Sequence, residues 1–474
     1  MNNKFKNELE ISEEQIPSIL SMAMTLGGDY ADFYYEYSLV NSIVLEDGIV
    51  KNAGIRISKG CGIRVVSGEQ TGYAFTENLS FESLAKAANT ASEIARTKNS
   101  TRLADLTEKK FKSLYDIKNS MDSLSLKEKI DLIKNAENSA FDAGSLISKV
   151  SISYTDELKS ILFADSEGRL LKDVQPMLIF YVNVIAEKNG NKQRGLSSVG
   201  GRFGIDYFTE VMTASDHGKA ASKQAITMLD AIDSPAGPME VILAPGESGI
   251  LLHEAIGHPL EADFNRKGTS AYTGRLGEKV ASNLCNIIDS GIIPNNRGSI
   301  NFDDEGHESK ENVLIENGVL RRYMNDKISA GYFKTDPSGN GRRESFKNIP
   351  LPRMTCTYML NGSSDPEEII KSTKKGIFCK TFSGGQVDIS NGDFVFVPSE
   401  AYLIENGSIK NPIKNLTLIG NGPDVLTKVS MVGNDLKISN GTWTCGKDSQ
   451  SVPVGVGLPT VKISEMTVGG SNLG

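Results

Sequence analysis

Two of the four histidines in this 474-residue chain stand five positions apart, in His253-Glu254-Ala255-Ile256-Gly257-His258. Imidazole is a common zinc ligand, and a carboxylate beside such a ligand can take a proton from water activated at the metal. The hexapeptide therefore reads as a metal site with its own general base. It is one residue longer than the usual zinc-protease helix, His-Glu-x-x-His. At about 100° per residue, an i,i+5 pair on a regular helix points about 140° apart. Both histidines reach one ion only where the helix is distorted between them. Gly257 supplies backbone freedom, while Pro259 lacks an N–H and disfavours α geometry at His258. A helix end or a π-type bulge is expected at this point. The competing reading is two unrelated histidines, one buried and one capping.

Two histidines leave a catalytic zinc one protein ligand short. His217 lies in an alanine-rich stretch and reads as a surface or packing residue. His307, in the polar turn from Asp303 to Glu308, reads by default as part of a solvated loop, with ligation as the alternative. Glu261, three residues after His258, is placed either to orient that imidazole or to sit on a helix surface. Five cysteines, odd and sparse, do not make a disulfide framework. Cys61 and Cys379 sit in patterns that suggest burial. Cys445, between Gly441 and Lys447 beside the single tryptophan, is expected to be more exposed, with Lys447 helping to hold a thiolate. On chemistry alone it is modestly preferred as the third ligand.

The elements that must position these residues fall into two halves. In the first, Ile11 to Leu26 has a helical period ending at Gly27-Gly28. Strands are expected at 33–37 and 42–45, with a turn at 46–48. A hairpin is expected through 67–70 and a helix over 81–97. Ser125 and Glu128 make a capping box for a helix ending at Gly144. Strands at 148–154, 160–164 and 178–186 follow, then a helix over 207–229. Two prolines and a glycine between Asp230 and Pro238 mark the boundary between domains 1–232 and 233–474. Beyond it, short β-like runs alternate with Gly, Asn and Asp turns around the motif. The expected class is α+β: an N-terminal mixed α/β domain with an antiparallel-type sheet, and a C-terminal β-rich domain carrying the metal-binding helix.

Composition narrows the function. A net charge of −8 and a pI of about 5.4 argue against nucleic acid as partner. No run approaches 18 apolar residues, and Met1 to Gln15 lacks an apolar signal region, so a cytosolic, non-membrane protein is expected.

The stretch Gly249 to His258, with Leu260-Glu261 and Asp263-Phe264-Asn265-Arg266, resembles the TldD family of metalloproteases. So do Asp303-Asp304-Glu305-Gly306, Leu314 to Gly318, Gly339 to Glu344, Arg353-Met354-Thr355 and Cys445-Gly446-Lys447 leading into Gln450 to Gly455. The likeness runs over essentially the whole chain, more weakly in the N-terminal half. It implies the motif-bearing, catalytic branch, in which His253, His258 and Cys445 bind zinc and Glu254 is the general base. It also implies unfolded peptide substrates laid along a strand edge, and a dimer, with a motif-less TldE or PmbA-type chain or with itself. Arg342, Arg343 and His307 are candidates for stabilising an oxyanion, and no residue is assigned to substrate binding. One alternative is a peptide-binding partner subunit without turnover, against which the intact Glu254 argues. A zinc deaminase needs a Cys-x-x-Cys pair that this chain does not have.

Overall fold

A computed structural model describes residues 11–97, 101–115 and 123–470. The N-terminal half is built on an antiparallel array of strands: β1 (Tyr30–Glu46), β2 (Ile49–Ser67), β3 (Gln70–Thr76), β4 (Ile147–Asp165), β5 (Arg169–Lys188) and β6 (Asn191–Gly201). Their order is β3-β2-β1-β4-β5-β6. Turns with left-handed backbone set the hairpins. Asp47-Gly48 (φ 46° and 80°) joins β1 to β2, and Asn189-Gly190 (φ 53° and 82°) joins β5 to β6.

Two strand pairs expected from the sequence are single strands. Residues 33–37 and 42–45 both lie in the 17-residue β1, and 148–154 and 160–164 both lie in the 19-residue β4. In β4 the largely polar run Thr155 to Lys159 interrupts the pattern, and in β1 the reason is burial on both faces. In β1, Ala31, Phe33 and Tyr35 pack with Ile16, Leu20, Leu84 and Ala88 of helices α1 (Ile16–Ala23) and α2 (Phe81–Ile94). Tyr34, on the opposite face, packs with Phe302 and Phe346 of the C-terminal half. Such a strand shows no apolar–polar alternation to read. Farther along the sheet, Ile43 and Leu45 join Ile133 and Ala136 of α3 (Leu126–Phe141) and Ala221 and Ala225 of α4 (Ala214–Leu229). The capping box of α3 forms as expected, Ser125 and Glu128 each accepting from the other's backbone N–H. The helix expected over 207–229 is divided. A short turn at Tyr207–Glu210 precedes α4, whose N-cap Thr213 accepts from Asp216 N.

In the C-terminal half, Gly237–Leu243 runs parallel to Lys375–Val387 and antiparallel to Val461–Gly469 within an eight-stranded sheet. The short strand Ile232–Asp233 joins the same sheet beside Ile413 and Lys414. A six-stranded sheet holds Ile287–Ser290, Glu311–Glu316, Cys356–Met359 and Gly455–Leu458. Leu251, Leu252, Ala255 and Ile256 of the motif share one buried core with Val241 and Ile377 of the first sheet and Ile287 and Leu314 of the second. The motif is thus held between two sheets, and the architecture is α+β.

The two halves are joined by buried charge. Arg64 of β2 pairs with Asp32 of β1 and with Glu305 of the C-terminal half, each at 2.6 Å and with the side chains essentially unexposed. Tyr73 Oη donates to Phe346 O at 2.6 Å, and Arg266 pairs with Glu69. Gly60 is needed at this seam, since a Cβ there would lie 2.2 Å from the Phe346 ring. No helix among the described residues is long and apolar enough to cross a membrane.

Candidate metal centre

The backbone leaves Gly237–Leu243 through Pro245-Gly246, where Gly246 takes φ 91°, and enters a short composite helix. Ile250–Leu252 is α-helical, His253–Gly257 is a π-helical turn, His258–Leu260 is a 3₁₀ turn, and Ala262–Arg266 is α-helical again. His258 N–H donates to His253 O, the i+5 bond that defines a π turn. That widened turn brings an i,i+5 pair onto one face. The two imidazoles stand 4.9 Å apart, centroid to centroid, nearly perpendicular at 84°. Pro259 sits at the start of the 3₁₀ turn, where its missing N–H costs nothing. Gly257 is required by packing, because a Cβ there would lie 1.9 Å from Met354 Sδ.

Cys445 reaches this face from a two-stranded hairpin, Thr444–Lys447 with Gln450–Pro453. Its turn residues Asp448 and Ser449 both take positive φ, 47° and 59°. Strand alternation buries Cys445, Lys447, Gln450 and Val452 together. Cys445 is therefore 1% exposed, against the expectation of an exposed Gly-rich turn. Lys447 does not hold its sulfur either. The Lys447 Nζ goes to Asp263 Oδ1 at 2.6 Å and Glu261 Oε2 at 3.1 Å. Cys445 Sγ lies 3.5 Å from His258 Nε2. The ligand atoms of His253, His258 and Cys445 all fall within 4.8 Å of one another.

The electrostatics of the cluster follow from its neighbours. Burial works against the Cys445 thiolate, but His253 and His258 outweigh it and bring the thiol well below its ordinary value. Burial also works against a charged His258, yet Glu261 and Cys445 raise it well above the usual imidazole range. Glu254 is 8% exposed and its carboxyl is raised by burial, with the two imidazoles opposing. Glu261 is fully buried and held down to about 2, against its own burial, by Lys447, His258 and Arg353. Glu261 Oε2 lies 3.2 Å from His258 Nδ1. A carboxylate anion only accepts, so Nδ1 carries the hydrogen and Nε2 is the nitrogen facing Cys445.

These residues suit a metal ion. Two imidazoles and a thiolate are a common zinc donor set. His253 Nδ1 is buried with no hydrogen-bond partner among the described residues, leaving a donor atom for a ligand. A cavity of about 410 Å³ opens on the cluster, lined by His253, Glu254 and His258, by Trp443 and by the strand segment Gly385 to Val387. A larger cavity of about 830 Å³ lies between the two halves, lined by Glu36, Lys159 and Arg343 among others, and contains none of the cluster.

The remaining sequence candidates lie elsewhere. His217 is buried between Ser197 Oγ, 2.8 Å from Nδ1, and Tyr207 Oη, 3.2 Å from Nε2. His307 is not in a solvated loop: it is half-buried, with Nδ1 3.2 Å from Arg169 Nη1, and burial and that guanidinium push it down to about 3. Arg342 donates to Met354 O and Pro453 O, and Arg343 pairs with Asp32 and lies over the Tyr34 ring. None of the three oxyanion candidates lines the cavity at the cluster. Sequence reasoning missed Arg353, fully buried, whose Nη2 donates to Cys445 O at 2.5 Å. Its only sequence signal was its place in the Arg353-Met354-Thr355 segment.

A buried His-His-Cys cluster with an adjacent carboxylate, on a π turn between two sheets, defines a metal-dependent hydrolase class of site. Family models match the chain as PmbA/TldA metallopeptidase domain 1 over residues 31–95, the central domain over 119–229 and the C-terminal domain over 236–470. Metalloprotease TldD homologs of Buchnera aphidicola (from Acyrthosiphon pisum) and Haemophilus influenzae are each 43% identical. They align over 98% of both chains and 100% of both chains, respectively. A protein of Saccharolobus solfataricus named zinc metalloprotease TldD homolog is 29% identical over 95% of this chain and 99% of its own. Among solved structures, a putative DNA gyrase modulator of Thermotoga maritima superposes with a TM-score of 0.80 at 23% identity, covering 96% of this chain and all of that one. TldE of Thermococcus kodakarensis gives 0.75 at 18%, covering 96% and 99%. The chain belongs to the TldD family of PmbA/TldA metallopeptidases.

Proposed function

We propose that this metallopeptidase is zinc-dependent, that His253, His258 and Cys445 hold the zinc, and that Glu254 is the general base in hydrolysis of extended, unfolded peptides. The observation that carries the reading is the convergence of three ligand-type side chains within 4.8 Å, beside a buried carboxylate that lines the same cavity. Zinc at such a centre supplies Lewis acidity, which activates water near neutral pH and polarises a carbonyl. Glu254 takes the proton of the attacking water on its carboxylate and delivers it to the leaving amine. Its raised affinity for protons suits both halves of that transfer.

The cavity favours an extended chain. Gly385 to Val387 pairs with Phe394 to Phe396 along one edge, and no strand among the described residues pairs with the other. A peptide added to that edge is held by its backbone, independent of sequence. A motif-less TldE-type chain or a second copy is the proposed partner.

The test measures metal content and cleavage of an unstructured peptide for the wild type, Glu254→Ala and Cys445→Ala. Glu254→Ala is expected to keep zinc and lose cleavage, and Cys445→Ala to lose zinc. Wild-type cleavage by Glu254→Ala overturns the mechanism, and full zinc binding by Cys445→Ala overturns the ligand set.

A further inference from the structure

Resting on that ligand set, we infer that Glu261 is the positioning residue of the centre, one buried carboxylate that orients His258 and anchors the distant hairpin bearing Cys445. The two ligands are 187 residues apart in sequence, and Glu261 lies beside one of them, His258, and beside Lys447 of the hairpin that bears the other. Its Oε2 faces His258 Nδ1 at 3.2 Å and Lys447 Nζ at 3.1 Å. Its Oε1 forms an ion pair with Arg353 Nε at 3.8 Å, and neither of those two atoms has a hydrogen-bond partner among the described residues. Arg353 in turn donates to both strands of the hairpin, to Cys445 O at 2.5 Å and Gln450 O at 3.4 Å. Lys447 belongs to that hairpin and also reaches Asp263 and Pro352 O, at 2.6 and 3.1 Å.

Glu261 and Asp263 are met by Lys447 and Arg353, so the buried carboxylates have cationic partners besides His258. With Nδ1–H donated to Glu261, Nε2 of His258 is the nitrogen presented to the Cys445 sulfur. A carboxylate behind a ligating imidazole fixes its tautomer and raises its basicity, and removing such a partner lowers metal affinity by roughly 10–100-fold. Glu261 does this for His258 directly and reaches Cys445 through Arg353 and Lys447.

The test compares zinc affinity, by chelator competition, for wild type, Glu261→Gln, Glu261→Asp and Asp263→Asn. The absorption of each cobalt(II)-loaded form reports thiolate ligation and ligand geometry. Glu261→Gln keeps the shape and removes the charge, and Glu261→Asp keeps the charge and withdraws it from His258. Both are expected to weaken zinc binding about tenfold or more and to shift the cobalt spectrum. Asp263→Asn disturbs the same buried charges without touching His258, and is expected to stay within about threefold of wild type, well short of what loss of an outer partner costs. Wild-type affinity in either folded Glu261 variant overturns the inference. So does an equal loss in Asp263→Asn, which would reduce Glu261 to one charge among several. A wild type that binds no zinc instead overturns the ligand set itself.

Discussion

Glu254 and Glu261 are buried carboxylates four residues before and three residues after His258 on one short helix, and their surroundings push them in opposite directions. Glu254 lies in a cavity wall, where burial raises it and two imidazoles only partly offset that rise. Glu261 lies behind the imidazole, where Lys447, His258 and Arg353 hold it at about 2. A carboxylate with raised proton affinity beside a cavity suits proton transfer, whereas one pinned as an anion orients its neighbours. The side chain is the same, so the role is set by the cations around it and by access to the cavity.

The largest expected effect breaks that contrast at Glu254. Glu254→Gln should lower kcat/KM on an unstructured peptide by about 10²–10⁴-fold with metal stoichiometry unchanged. A loss of metal in step with activity would make Glu254 a positioning group like Glu261. Next comes Cys445→Ala. Measured by chelator competition, it should lose more zinc affinity than the roughly 10–100-fold expected when an outer partner is removed.

A smaller effect tests the π turn that sets the two carboxylates apart. Gly257→Ala drives a methyl into Met354 Sδ and should destabilise the protein by about 1–3 kcal/mol in denaturant titration. Met354→Ala in the same chain should recover part of that, and an additive double variant would place the strain elsewhere.

The smallest effect carries the contrast over to histidine. Glu261 and Cys445 raise His258, whereas burial lowers His217 to about 4. The folded value of His217 lies below its unfolded value of about 6.5, so between the two the unfolded chain binds more protons. Its contribution to stability is therefore present above about pH 6.5 and is lost as pH falls toward 4. Stability measured across that window should fall less steeply in His217→Gln, and an unchanged slope would sink the assignment.

Local signals were legible where local physics decides. The capping box at Ser125 and Glu128, the Asp47-Gly48 turn and the distortion at Gly257-His258-Pro259 all arise within a few residues of chain. Strand length was not legible in β1, because burial on both faces erases the alternation that marks a strand, nor in β4, where the largely polar run Thr155 to Lys159 interrupts it. The setting of Cys445 was misread for a related reason. A Gly-rich segment suggests exposure, but hairpin pairing turns its alternate residues into the core.

By itself, the sequence determined which groups could do chemistry: a histidine pair that only a widened helix can align, a carboxylate beside it, and a sparse set of cysteines from which a thiolate ligand could come. Only the tertiary structure decided that these meet, that the thiol is lowered by imidazoles and not by Lys447, and that Glu261 and Arg353 tie the helix to the hairpin. The physical reason is range. Backbone preferences act over a few residues, but the field on a buried carboxylate or thiol comes from charges that packing brings close from far along the chain.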